Sequence, residues 1–156
     1  MRTLEDELRA QDVTGIAIGG TRALTRHLRE RGAMRAAIAT GQADAAELLE
    51  RVRASPPMTG ADLAREVSTP QAYTVHPPAG TPTRFVVAAV DLGIKAATPR
   101  NMAQRGMEVK VLPATSTAKD ILAVNPDGAF FSNGPGDPAA AGYAVGVIRG
   151  DRKSVV

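Results

Sequence analysis

One stretch of the sequence decides the fold: Gly128-Ala129-Phe130-Phe131-Ser132-Asn133-Gly134-Pro135-Gly136-Asp137-Pro138. It opens as a short apolar run, which is typical of a buried strand, and turns abruptly into a loop rich in glycine and proline. In open parallel α/β sheets, ligands bind just beyond the carboxyl ends of the strands. The stretch therefore predicts a strand that ends at the ligand-binding edge of a parallel sheet.

The loop has the composition of a site that binds a ligand through its backbone. Gly134 and Gly136 carry no Cβ, so a ligand can approach their N–H groups closely, and Pro135 fixes φ between them. Such a loop suits an oxyanion or a small polar substrate. Glycine and proline also dominate ordinary turns, so composition alone leaves a turn without chemistry equally open.

The second half of the chain repeats a strand–helix alternation around this stretch. The predicted elements are, in chain order, residues 85–90, 95–105, 107–112, 118–124, 128–132 and 139–148. The strands are continuous apolar runs, as expected when both faces of a parallel sheet are covered. The β-α-β-α-β order requires right-handed crossovers. We predict the first half of a doubly wound α/β domain at residues 84–156.

The first half of the chain predicts a smaller α/β unit at residues 1–68. The predicted elements are helices at residues 4–10, 21–31 and 43–53, with Thr3 and Thr21 as caps of the first two, strands at 13–18 and 34–39, and one helical turn at 63–67. Prolines and a glycine then crowd residues 69–83, where a helix or a central strand is improbable. We therefore expect residues 69–83 to be an interdomain linker.

Composition excludes several classes of function. The 156 residues contain no cysteine, which excludes disulfides, thiolate metal sites and a cysteine nucleophile among them. His27 and His76 lie far apart and have no ligand-like neighbours, so we expect no metal site. Aromatic residues make up 3% of the chain, too few for stacking platforms that bind nucleic acid. The net charge of +3 comes from arginines interleaved with acids, as on solvated helix faces.

Neither a membrane span nor a secretory leader is predicted. The sequence has no run of eighteen apolar residues, and its charged first nine residues contain no apolar leader core. We expect a cytoplasmic protein that binds neither membranes nor nucleic acid.

Several motifs around the glycine-rich loop indicate a family. They are Val90-Asp91-Leu92-Gly93-Ile94-Lys95, Pro99-Arg100-Asn101, Asn125-Pro126-Asp127-Gly128 and, upstream, Thr21-Arg22-Ala23-Leu24-Thr25-Arg26-His27-Leu28-Arg29-Glu30-Arg31-Gly32. With them, residues 4–137 resemble the small, glutamine-hydrolysing subunit of carbamoyl phosphate synthetase. The loop alone is shared by many class I glutamine amidotransferases. The upstream threonine-arginine helix resembles the amino-terminal domain of the small subunit and indicates the carbamoyl phosphate branch.

The resemblance implies an activity and its partners. In that family the small subunit hydrolyses L-glutamine through a Cys–His–Glu triad, and the ammonia travels to a large synthetase subunit. The large subunit makes carbamoyl phosphate from bicarbonate and ATP for arginine and pyrimidine biosynthesis. The resemblance therefore implies the large subunit and L-glutamine as partners. ATP and magnesium would belong to the large subunit, with no cofactor in this chain.

The resemblance also assigns roles to residues of the loop. It implies that Gly134 and Gly136 contact glutamine and stabilise the tetrahedral oxyanion. This agrees with the absence of a Cβ at both residues, which lets a ligand approach their N–H groups closely. Asn133, Pro135 and Asp137 are expected to support the loop, since Asn and Asp side chains bond nearby backbone N–H groups.

Asp91 and Lys95 match the motif that the family carries at its first strand. We interpret them as a turn carboxylate and a surface ammonium rather than as substrate contacts.

The catalytic residues of the family have no counterpart in this sequence. The resemblance puts the nucleophilic cysteine on a later strand-to-helix elbow and the histidine and glutamate further on. We therefore expect a fragment that is inactive alone, because amide hydrolysis of this kind has no mechanism without a nucleophile and a base.

Three alternatives remain open at this point. One is a non-catalytic remnant that only docks on a synthetase subunit. Another is a different class I amidotransferase, such as a component of anthranilate or GMP synthase. The third is a phosphate- or nucleotide-binding module, which the absence of G-x-G-x-x-G after Val90 and of a P-loop disfavours.

Overall fold

The structure is a computed structural model that describes residues 3–32 and 34–151. The chain separates into two compact units, Met1–Pro57 and Met58–Val156. No helix within the described residues is long and apolar enough to cross a membrane.

Three helices form among the described residues of the first unit. They are α1 (Leu4–Ala10), α2 (Thr21–Arg31) and α3 (Ala45–Ala54). Thr3 and Asp6 form a reciprocal capping box at the start of α1, and Asp44 caps α3 by accepting from the N–H of Ala46. The predicted cap Thr21 is wrong: Gly20 occupies the cap position of α2 without a side-chain bond, and Thr21 is already helical.

The two strands expected in the first unit are also wrong. Residues 13–18 and 34–39 form no strand. Their apolar side chains stay in solvent, with Ile16 64% and Ile38 51% exposed. A short apolar segment becomes a strand only where a neighbouring strand and a packed face complete it, and none of the described residues of this unit is buried.

The second unit is an α/β sheet structure, as the sequence predicts. The strands are β1 (Tyr73–Val75), β2 (Phe85–Asp91), β3 (Met107–Pro113) and β4 (Gly128–Phe131). The helices are α4 (Leu63–Val67), α5 (Ala97–Ala103), α6 (Ala118–Ala123) and α7 (Gly142–Asp151), with a 3₁₀ turn at Pro138–Ala141 before α7. The strand order is β1-β3-β2-β4, with β2 parallel to both β3 and β4.

The core of this unit lies on the two faces of the central strands. Ala88 and Val90 point to one face, where they pack with Leu112 of β3 and Ile121 of α6. Ala89 points to the other face and packs with valines of β3. This alternation leaves the end of β2 buried on both sides, so Asp91 reaches the carboxyl edge of the sheet only 5% exposed.

The expected linker at residues 69–83 is not a linker in this structure. Tyr73–Val75 forms an edge strand that pairs antiparallel with β3. Pro70 and Pro77 flank this strand rather than interrupt it, which an edge position tolerates. The boundary between the units follows Pro57, so α4 belongs to the sheet unit. That residues 1–68 correspond to the carboxyl-terminal part of the small-subunit amino-terminal domain stays a prediction.

Candidate functional site

Asp91 organises the turn that follows β2. One carboxylate oxygen, Oδ1, accepts from the N–H groups of Gly93 and Ile94 at 2.8 and 2.7 Å. The other, Oδ2, accepts from the N–H of Thr69 at 2.8 Å. A buried carboxylate is costly unless its oxygens are bonded, and these three donors provide that compensation. Asp91 thus has the geometry of a turn carboxylate, while Lys95 is exposed.

Ser132 connects the end of β4 to the end of β2. Its N–H donates to the carbonyl of Val90 at 3.1 Å and extends the parallel ladder by one bond. Its Oγ accepts from the N–H of Leu92 at 2.9 Å and donates to the carbonyl of Asn133 at 3.0 Å. Ser132 was not among the predicted site residues, although a hydroxyl directly after an apolar run is a signal for such a bond.

The glycine loop, residues 132–137, lies in close contact with backbone on two sides. A Cβ on Gly134 would overlap the carbonyl oxygen of Leu92. Gly136 has φ of +90°, and a Cβ there would stand 2.5 Å from the carbonyl oxygen of Ala61. Both positions therefore require glycine, the first for space and the second for space and conformation.

The N–H groups of the two glycines in the loop are free. Among residues 3–32 and 34–151, no acceptor bonds the N–H of Gly134 or of Gly136. Gly134 is exposed and Gly136 is half-buried. Two N–H groups held at the carboxyl edge of a parallel sheet are available to an anionic or carbonyl oxygen of a ligand.

Asp137 anchors the far end of the glycine loop. Its Oδ2 accepts from the N–H of Gly60 at 2.9 Å, and its Oδ1 caps the 3₁₀ turn by accepting from the N–H of Ala139 at 2.9 Å. Its own N–H donates to the carbonyl of Ala61 at 3.0 Å. The bonds from Gly60 and Ala139 hold the pKa of the Asp137 carboxyl below its ordinary value.

Pro135 and Asn133 differ in their contacts. Pro135 lies close to Gly93, since a Cβ on Gly93 would stand 3.0 Å from its Cδ. Asn133 is exposed, and its side chain makes no hydrogen bond within the part of the chain that the structure describes. Only its backbone carbonyl takes part, by accepting from Ser132.

A crossing segment, residues 58–69, bonds to the end of β2, to the residue after β3 and to the loop that follows β4. Besides the bonds of Gly60 and Ala61 to Asp137 and of Thr69 to Asp91, the Oγ of Ser68 accepts from the N–H of Ala114, just after β3, at 2.8 Å. This role was not predicted, because residues 58–68 were expected in the first domain and Thr69 in the linker. Most of the bonds use backbone atoms, which leave no motif in the sequence.

Cysteine and histidine, the nucleophile and the base that the resemblance implies, are not brought together among the described residues. The chain has no cysteine. His76 is bonded to Glu108 at 3.1 Å and stands on the surface, and His27 lies on α2 in the other unit. Within residues 3–32 and 34–151, no group of three or more His, Asp and Glu is arranged to hold a metal ion.

The parallel sheet and the glycine loop at its carboxyl edge define a class of protein. Residues 88–155 match the sequence model of the family "Glutamine amidotransferase class-I". This segment covers β2 after its first residues, β3, β4 and the glycine loop, and the sheet of the second unit is consistent with a partial class I glutamine amidotransferase fold.

The chain is more specifically similar to carbamoyl phosphate synthase small chains. It is 59% identical over 151 residues to the protein of that name from Streptomyces coelicolor, and 60% identical over 150 residues to that from Streptomyces avermitilis. The small chain from Mycobacterium tuberculosis is 54% identical over 151 residues. These alignments cover 94–96% of this chain and 39–40% of the relatives.

The family resemblance seen in the motifs is thereby confirmed. The chain spans about two fifths of the length of the small chains that it matches, which agrees with the expected correspondence to part of such a protein.

Proposed function

We propose that this chain forms one wall of the glutamine pocket in a small subunit that supplies ammonia for carbamoyl phosphate synthesis. One observation carries the proposal: the two glycines of the loop present unbonded N–H groups at the carboxyl edge of the sheet. The small chains from Streptomyces support it, because their similarity runs through this loop and along 95–96% of the chain.

In the proposed reaction, the glycine loop acts on the oxygen of the substrate amide. Attack on the amide carbon converts the carbonyl oxygen into an oxyanion, and Gly134 and Gly136 donate to the substrate through N–H groups that are already in place. Donors of this kind contribute on the order of several kcal/mol to the transition state, since no reorganisation is needed as charge develops. The nucleophile is not among these residues, because the sequence has no cysteine.

The proposed partner is the large synthetase subunit, which would receive the ammonia. ATP and magnesium act on that subunit in this scheme, and this chain needs no cofactor for its part. The product would serve arginine and pyrimidine biosynthesis.

A titration with L-glutamine tests the pocket. We expect the ¹⁵N–¹H resonances of Gly134 and Gly136 to shift in a saturable way, while Gly128 and Gly142, which lie outside the loop, serve as internal controls. L-Glutamate and inorganic phosphate are the matched ligands. A shift of the loop with phosphate but not with glutamine would support a phosphate-binding module, and no shift with any ligand would refute the pocket.

Two further measurements separate catalysis from docking. We expect no glutamine-dependent ammonia release from the purified chain, and measurable release would contradict the need for an external nucleophile. We expect the chain to bind a large synthetase subunit in a pull-down. Binding to the large subunit without a glutamine response at the loop would favour the docking remnant.

A further inference from the structure

The crossing segment supports the glycine loop from behind. Gly136 approaches the segment so closely that a Cβ would also stand 3.0 Å from the N–H nitrogen of Leu63 and 3.3 Å from its Cβ. On its other side, the loop rests on Leu92 through Gly134. The loop is therefore held between the turn after β2 and the crossing segment.

One side chain ties these two elements together. Among the described residues, Asp137 is the one member of the loop whose side chain bonds the crossing segment, through the N–H of Gly60. The two residues are 77 positions apart in the sequence. The N–H of Asp137 also donates to the carbonyl of Ala61. Both the backbone and the side chain of Asp137 are therefore bonded to Gly60 and Ala61.

Asp137 is suited to this task as a carboxylate. Both oxygens accept from backbone N–H groups, one in the crossing segment and one in the 3₁₀ turn. An amide would offer one acceptor oxygen and place N–H groups against the second donor. The Asp137 carboxyl is ionised near neutral pH, since its bonds from Gly60 and Ala139 hold its pKa below an ordinary value that is already acidic, and hydrogen bonds to an ionised acceptor are the stronger kind.

We propose that Asp137 is a positioning residue that, by bonding Gly60 of the crossing segment, fixes the direction of the Gly134 and Gly136 N–H groups for the substrate. The proposal rests on the proposed glutamine function. Asp137 itself does not touch the substrate in this scheme. Its effect passes through the backbone of the loop, where a small rotation of a peptide plane moves a donor away from the oxygen that it serves.

Two substitutions remove or weaken the bond to Gly60. Asp137→Ser keeps a side-chain oxygen that caps the 3₁₀ turn but is too short to reach Gly60. Asp137→Asn keeps the shape and loses one acceptor. The matched control is Asp120→Asn, which alters a carboxylate that also has a lowered pKa and also caps a helix of the same unit, through Thr117, away from the loop.

The experiment measures the affinity for L-glutamine and the order of the loop in the full 156-residue chain. We expect both Asp137 variants to raise the dissociation constant of L-glutamine about tenfold, as for loss of a charge-assisted bond, while Asp120→Asn leaves it unchanged. We also expect the ¹⁵N order parameters of Gly134 and Gly136 to fall from about 0.85 to below about 0.6. If Asp137→Ser does not fold, Asp137→Asn decides.

The outcomes distinguish this proposal from the one on which it rests. Wild-type affinity in a folded Asp137 variant, or equal losses in the Asp120 control, would overturn the positioning role. If the wild-type chain itself shows no response to L-glutamine, the glutamine pocket fails. The order parameters of Gly134 and Gly136 then test whether Asp137 orders the loop. A fall in the Asp137 variants but not in the Asp120 control supports this role, and unchanged values refute it.

Discussion

The backbone N–H of Thr69 donates to Oδ2 of Asp91 over 2.8 Å, and so joins the crossing segment to the end of the central strand. Asp91 also closes the turn that supports Gly134, since its Oδ1 bonds the two residues after Leu92. The buried carboxylate of Asp91 therefore bonds both elements that enclose the glycine loop, the turn after β2 and the crossing segment. A change at Asp91 should affect both the stability of the unit and the geometry of the loop.

Asp91→Asn should destabilise the second unit by about 1–3 kcal/mol, because an amide can satisfy only part of the three-donor set and leaves a buried N–H without an acceptor. Urea unfolding followed by a probe in the sheet measures the change. The control is Asp127→Asn, at an exposed position where a single oxygen accepts from the N–H of Val86. Equal losses in the two variants would contradict the special role of the buried site.

Gly134→Ala should destabilise the second unit by about 1–3 kcal/mol, since the new methyl group overlaps the carbonyl of Leu92 and the loop must shift. Gly142→Ala should instead stabilise it by about 0.5–1 kcal/mol, because a Cβ at that helical position meets no atom within 4 Å. Thermal unfolding of both variants and the wild type shows whether each substitution raises or lowers the stability. A neutral Gly134→Ala would mean that the loop does not rest on Leu92.

Acid should weaken the second unit in part through Asp137. Its pKa in the folded chain lies below the ordinary value of 3.8, so the ionised form stabilises the fold above that value. The contribution is lost as pH falls from about 4 through the lowered pKa. The difference in free energy of unfolding between wild type and Asp137→Asn should accordingly be constant near neutral pH and shrink in acid. A difference that is independent of pH down to about 2 would contradict this linkage.

Ser132→Ala should cost about 1–2 kcal/mol, because it removes the acceptor of the Leu92 N–H at a position only 7% exposed. Ser116→Ala is a suitable control, since Ser116 is half-buried and its hydroxyl makes no hydrogen bond among the described residues. Urea unfolding of the two variants tests the difference. Similar losses would show that hydroxyl burial, rather than the link between β2 and β4, sets the cost.

The sheet elements were predictable because burial on both faces imposes apolar runs. The runs at 85–90 and 107–112 fall within β2 and β3, and the glycine loop follows β4 as expected. The run at 13–18 is also apolar but forms no strand. An apolar run indicates that a segment favours burial, but it does not show that a neighbouring strand is present to pair with it. The edge strand Tyr73–Val75 was not predicted, because it is short and flanked by prolines.

The sequence by itself determined the glycine loop, the parallel strands before it and the family to which they point, because glycine, proline and apolar periodicity record local conformation and burial. Only the tertiary structure decided that residues 58–69 cross the carboxyl edge and hold that loop. The bonds of Thr69 to Asp91 and of Gly60 to Asp137 join positions 22 and 77 residues apart. Their donors are backbone N–H groups, which nearly every residue possesses, so no pattern in the sequence marks them.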